Sequence, residues 1–197
     1  MIGNGVRDSF RMRFPFNERK AAQAAAYILA KRGGEFDYGC LVKLLYFADR
    51  RALVENQMPI TGGWMIAMEH GPVLSEVLDC LNGKSDEGVW PEYISTRDDG
   101  NRVVLVTAHP DSNGLSEFEM DILQAVVGEH GDKNFSDLGK YAHDNFPEVP
   151  QVPRGKMRPI LVERILHSEG MSNEEIAEVH ANALSLTTAV EAGGSGL

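Results

Sequence analysis

Asp37 to Asn56 reads DYGCLVKLLYFADRRALVEN, and this stretch decides the fold. Leu41, Leu44, Leu45 and Ala48 recur at helical spacing, while Val42, Tyr46, Phe47 and Leu53 spread apolar character round the rest of the cylinder. A helix apolar on most sides has to be enclosed by other elements. The segment therefore predicts a central helix from Asp37 to about Asn56, with a domain built around it. Lys43 and Arg50, one heptad apart, share the polar stripe that remains. Three readings fit them: an ordinary solvated stripe, internal ion-pair partners, or the lining of a partner groove.

Working outward toward the amino terminus, Asn17 caps a helix over Glu18 to Arg32, whose small face (Ala21, Ala24, Ala25) permits close packing and which ends at Gly33-Gly34. Before it, Phe10-Arg-Met-Arg-Phe-Pro-Phe16 alternates apolar residues with arginine. The preferred reading is a strap that packs Phe10, Met12 and Phe14 on the body; a partner-binding segment is the alternative. In the other direction, Ile60 to Met68 is strand-like. Glu69-His70-Gly71-Pro72 then turns into a third helix, with Pro72 near N1, where its missing N–H costs nothing. Val73, Val77 and Leu81, with Leu74 and Leu78, form its buried stripe, and Asn82-Gly83 stops it.

Val89 to Thr96 and Arg102 to Thr107 read as strands flanking Asp98-Asp99-Gly100-Asn101, a hairpin signal. Ser116-Glu-Phe-Glu119 is a capping box that opens a helix ending near Gly131. Phe135 to Asn145 is a short helix, and Phe146 to Pro159, with four prolines, is an irregular crossing. Pro159 is expected to open a helix over Ile160 to His167. A second capping box, Ser172 to Glu175, starts the last helix, which runs to about Ala192. The fold class is mainly α with a small antiparallel β-sheet (α+β). Its organisation is an arm over 1–16, a body over 17–150, a helical extension over 151–192 packed on the same domain, and a tail over 193–197 expected to be mobile.

Of 197 residues, 43% are hydrophobic and 24% charged, ordinary shares for a chain with a sizeable core. The formal net charge of −10 argues against a phosphate-tracking surface, so nucleic acid is not the expected partner. Cys40 and Cys80 lie in apolar runs and read as buried reduced thiols. No apolar stretch reaches the roughly 20 residues a spanning helix needs. Met1 to Arg13 has arginines with no apolar run behind them, unlike a secretory signal. The expectation is a soluble cytoplasmic protein with no membrane partner.

The strong enzymatic motifs are absent: no phosphate-binding loop, no zinc helix, no nucleophile elbow, no dinucleotide fingerprint. The histidines show no metal-ligand spacing, and neither metal nor cofactor is expected. Glu69, His70 and His143 could meet across the fold as the acid–base or metal set of a small hydrolase. Arg7, Arg11 and Arg13 with Arg154 to Arg158 could serve a DNA-binding regulator. His70 before a helix N-terminus could grip an anion; filling the capping space while Gly71 makes the bend is preferred, because capping is such a helix's commonest need. Arg154-Gly-Lys156-Met-Arg158 concentrates three cations in an acidic chain. A solvated loop is the default there, and docking of an acidic partner the sharper alternative.

The strings KLLYFADRR (Lys43 to Arg51), MPITGGWMIAMEHGPVLSEVLDCL (Met58 to Leu81) and YAHDNFPE (Tyr141 to Glu148) together resemble the Panacea domain, the family of SocA-like antitoxins and phage-associated relatives. The resemblance runs over roughly Asn17 to Glu148. It departs at His70 and Glu148, where members often carry Tyr and Trp. The resemblance implies an antitoxin with no catalytic residue that neutralises a separately encoded protein toxin by direct contact. It also implies a second mode, delivery of the toxin to a Clp-type AAA+ protease. The partner-binding candidates are Lys43, Tyr46, Arg50, Trp64, Glu69, His70, Glu76 and His143, with Gly71 and Pro72 as a structural turn.

Overall fold

The structure is a computed structural model that describes residues 12–97 and 101–193. Helix α1 (Glu18–Lys31) starts where the Asn17 side chain accepts a hydrogen bond from the Lys20 N–H at 3.0 Å. Ala21, Ala24 and Ala25 are fully buried, as the small face requires. Strand β1 (Glu35–Asp37) follows, a short element with no counterpart in the sequence reading. Asp37 caps α2 (Tyr38–Asn56) through the Cys40 N–H at 2.9 Å. Leu41, Leu44, Leu45, Tyr46 and Leu53 are all fully buried, so α2 is the central helix. Its polar stripe is not solvated: Lys43 is 1% and Arg50 8% exposed. Burial pushes the thiols of Cys40 and Cys80 up to about 12, and both are free and buried.

The largest departure from the sequence reading follows α2. Strands β2 (Met65–Met68) and β3 (Gly71–Leu74) form an antiparallel hairpin around Glu69-His70, and Pro72 faces Ala67 in it instead of opening a helix. Helix α3 (Ser75–Leu81) begins only after the strand. All four residues of β3 are buried, because the strand packs on α2. A short apolar run covered on both faces carries no period that tells strand from helix. As an edge strand β3 has β2 as its one neighbour, which leaves room for a residue without an N–H.

Val89 to Thr96 is likewise only partly a strand. Helix α4 (Trp90–Tyr93) occupies its first half, and β4 (Ile94–Thr96) the second. The buried Glu18 carboxylate decides this, accepting from the N–H groups of Glu87, Val89 and Trp90 at 2.8–2.9 Å and from the Ser85 hydroxyl at 2.5 Å. Strand β5 (Arg102–Leu105) pairs with β4 and with β1, giving a sheet of order β1-β5-β4. The hairpin is as expected, while its Asp98 to Gly100 turn lies outside the described residues.

Helix α5 (Glu117–His130) carries both halves of its capping box, and α6 (Phe135–Asn145) has the expected ends. Pro159 does not open a helix: Arg158 and Pro159 form β6, which pairs with β2 and completes a sheet of order β3-β2-β6. Helix α7 (Val162–Ser168) follows, then α8 (Asn173–Gly193), whose Ser172–Glu175 box is made at 2.8 and 3.2 Å. The chain is mainly helical with small antiparallel sheets, two of them where one was expected. Met12 and Phe14 are buried and Phe14 bridges to Gly63, as a strap would be; Phe10 and residues 194–197 lie outside the described residues. Among the described residues, no helix is long and apolar enough to cross a membrane.

Candidate partner-binding site

The partner-binding candidates fall into three arrangements: one round Lys43 of α2 and the β2–β3 hairpin, one round Arg50 of α2, and one round Glu76 of α3. The first is built round Lys43. The hairpin needs a residue at φ +108 at position 71, a backbone conformation suited to glycine. A Cβ on Gly71 would also stand 3.0 Å from the Lys43 ammonium, and one on Gly139 would stand 2.7 Å from the His70 carbonyl. The hairpin and α6 are thereby pressed together, with the lysine between them. Lys43 Nζ donates to the His70 carbonyl and lies 4.7 Å from the centre of the Phe135 ring. Among the described residues, no carboxylate pairs with it. Burial therefore pulls its pKa down to about 8.

Over this lysine lies a groove of about 390 Å³, lined by Val42, Met68, Val73, Leu78 and Phe135, with Glu69, His70 and Lys156 exposed at its rim. The His70 ring meets Phe135 edge-on at 5.5 Å. His70 stands in a strand-to-strand turn and not before a helix, so the capping role expected of it does not arise. His143 projects from α6 with both ring nitrogens buried and unpartnered; burial, then the charge of Lys43, lower its pKa and favour the neutral ring. No hydrogen bond joins Glu69, His70 and His143, and no three His, Cys, Asp or Glu side chains cluster as a metal site among the described residues.

The second arrangement is internal. Arg50 grips Glu148 through Nε at 2.7 Å and a terminal nitrogen at 3.3 Å, reaches Glu169 at 2.6 Å and lies 4.2 Å from the Phe146 ring centre. The Tyr46 hydroxyl donates to the same Glu148 carboxylate at 3.3 Å. Of the readings open for Arg50, the internal ion pair is the one realised. Sequence reasoning missed Glu169 altogether, and it met Glu148 only as a departure from the family pattern. A buried arginine in want of a carboxylate was the available signal.

The third arrangement clasps the amino-terminal strap. Glu76 accepts from the Trp64 N–H at 2.8 Å and from Arg13 at 3.0 Å, and the Arg13 guanidinium stacks over the Trp64 ring at 5.1 Å. Arg13 is thus committed to a carboxylate, and Arg7 and Arg11 lie outside the described residues. In comparisons with known proteins, the family model described as antitoxin SocA-like, Panacea domain, matches residues 41–147. That span runs from α2 through α6 and contains the partner-binding candidates from Lys43 to His143, while Arg13 and the basic run Arg154 to Arg158 lie outside it. No curated protein and no solved structure matches the chain.

Proposed function

The chain belongs to the antitoxin SocA-like, Panacea domain family, and from that membership we propose that it neutralises a separately encoded protein toxin in the cytoplasm by direct, non-covalent binding. The family match over 41–147 is the observation that carries this reading. The contact surface is the face bearing the hairpin turn, where Glu69 and His70 are exposed, together with the half-buried Trp64, Glu76 and His143. Lys43, Tyr46 and Arg50 act from beneath it, holding the hairpin and the chain after α6 in place.

The test is co-expression with the product of a neighbouring open reading frame, scoring growth rescue, co-purification and the intact mass of both chains. Rescue with two unmodified masses in one complex is expected. A cleaved or modified toxin would replace binding with enzymatic action, and operator DNA retained in place of protein would make the chain a regulator. Toxin half-life with and without a Clp-type protease separates delivery for degradation from simple sequestration.

A further inference from the structure

Nine of the lysines and arginines among the described residues are ion-paired to a carboxylate, and eight are not. Two of those eight, Lys43 and Lys156, line one groove, and two more flank Lys156 in the chain. Lys43 lies under the groove of about 390 Å³, and Arg154, Lys156 and Arg158 ride on the loop whose Gly155 and Lys156 line it. The loop is held at the groove because β6, which begins at Arg158, is hydrogen-bonded to the edge of β2. Large apolar side chains are exposed on the same structures: Met157 is 65% and Phe135 36% exposed. Among the described residues, the sole carboxylate lining the groove is Glu69, at the hairpin turn.

We propose that this groove and its basic loop receive an acidic segment of the toxin, one large apolar side chain seated between Phe135 and the β2–β3 hairpin and its carboxylates facing Arg154, Lys156 and Arg158. That the occupant belongs to a toxin rests on the antitoxin reading; the chemistry of the surface does not. An apolar cleft with a few placed charges suits a protein segment of mixed character. Nucleic acid is disfavoured, since affinity for phosphates grows with the number of cations that track the strand, and here three share one short loop of a chain at −10. Elsewhere the excess negative charge repels an acidic partner, so the basic loop also sets the direction of approach.

The test uses the full chain and synthetic peptides: one of Asp and Glu around a central Leu-Phe pair, one with Gly-Gly in place of that pair, and one with Lys in place of the acids. Amide shifts of Gly71, Phe135 and Gly155 on titration with the first peptide are expected. The Gly-Gly and Lys peptides should bind about tenfold more weakly or worse, the loss that follows from about 1.4 kcal/mol. The triple change Arg154→Glu, Lys156→Glu, Arg158→Glu should keep the wild-type melting temperature and lose at least about tenfold in peptide affinity; should it fail to fold, the triple glutamine variant replaces it and is expected to weaken binding in the same direction.

Absence of peptide binding, shifts that map elsewhere, equal binding by the folded variant, or preference for a DNA oligonucleotide over the acidic peptide would each overturn the proposal. In cells the two readings separate. If wild type and variant protect equally against the toxin, the docking surface is wrong and the antitoxin stands. If the peptide binds as expected but wild type neutralises no toxin, the surface stands and the antitoxin reading falls.

Discussion

Lys43 shows how one residue can be polar in sequence and interior in structure. Its stem lies within the core, and its ammonium has a backbone carbonyl and an aromatic face for company in place of a carboxylate. A buried cation without a counterion is held at a cost. The sign of its pH dependence follows. The folded pKa is depressed, from 10.5 to about 8, so below pH 8 both states are charged and the cost is present in full. Between pH 8 and 10.5 the folded state releases its proton first, and stability rises with pH. At about 1.4 kcal/mol per pH unit, the rise amounts to about 3 kcal/mol. Chemical denaturation of wild type and Lys43→Met across that window should show the gain in the wild type alone; parallel curves would mean that the ammonium is solvated. Arg50 is the opposite case, a buried cation with two carboxylates on it.

Elements are decided by where orphaned backbone groups find partners. Helices α2, α5 and α6 start at side chains three residues from the N–H they satisfy, which is why their beginnings are readable from sequence. Helix α4 is capped instead by Glu18, 72 residues away from Trp90 in the chain. The acceptors it supplies make a helical turn of a stretch that β-branched and aromatic residues would draw into a strand. Glu18→Ala should leave buried donors without an acceptor and cost about 2–3 kcal/mol of stability. Hydrogen exchange should quicken most at Glu87, Val89 and Trp90, the amides that Glu18 now holds. Uniform acceleration across the chain would instead make Glu18 a general packing residue. The folded carboxylate is held below its ordinary 4.5: burial pushes it up, but the Ser85 hydroxyl and the backbone donors outweigh that. Its contribution is therefore present above pH 4.5 and fades as pH falls through the folded value.

At the scale of the whole molecule, the span of the family match, 41–147, is less than the folding unit. Ala21, Ala24, Ile28, Ile165 and Leu166 are fully buried and lie outside it, as do both carboxylates on Arg50. A fragment of residues 41–147 should lack a cooperative melt and a dispersed NMR spectrum, whereas 12–193 should show both; a cooperative melt of the fragment would overturn this. Read alone, the sequence determined the mainly helical class, the ends of α1, α2, α5 and α6 and both capping boxes, because side-chain caps and helical periods act over a few residues. It brought forward Lys43, His70 and Gly71 as notable but not as neighbours. The short strands β1, β3 and β6 and the burial of the α2 stripe were decided by tertiary structure. Lys43 is covered by a carbonyl 27 residues away, and Arg50 by carboxylates 98 and 119 residues away. Two- to four-residue strands have too little length for a period, and whether a charge is solvated depends on what the rest of the chain lays over it.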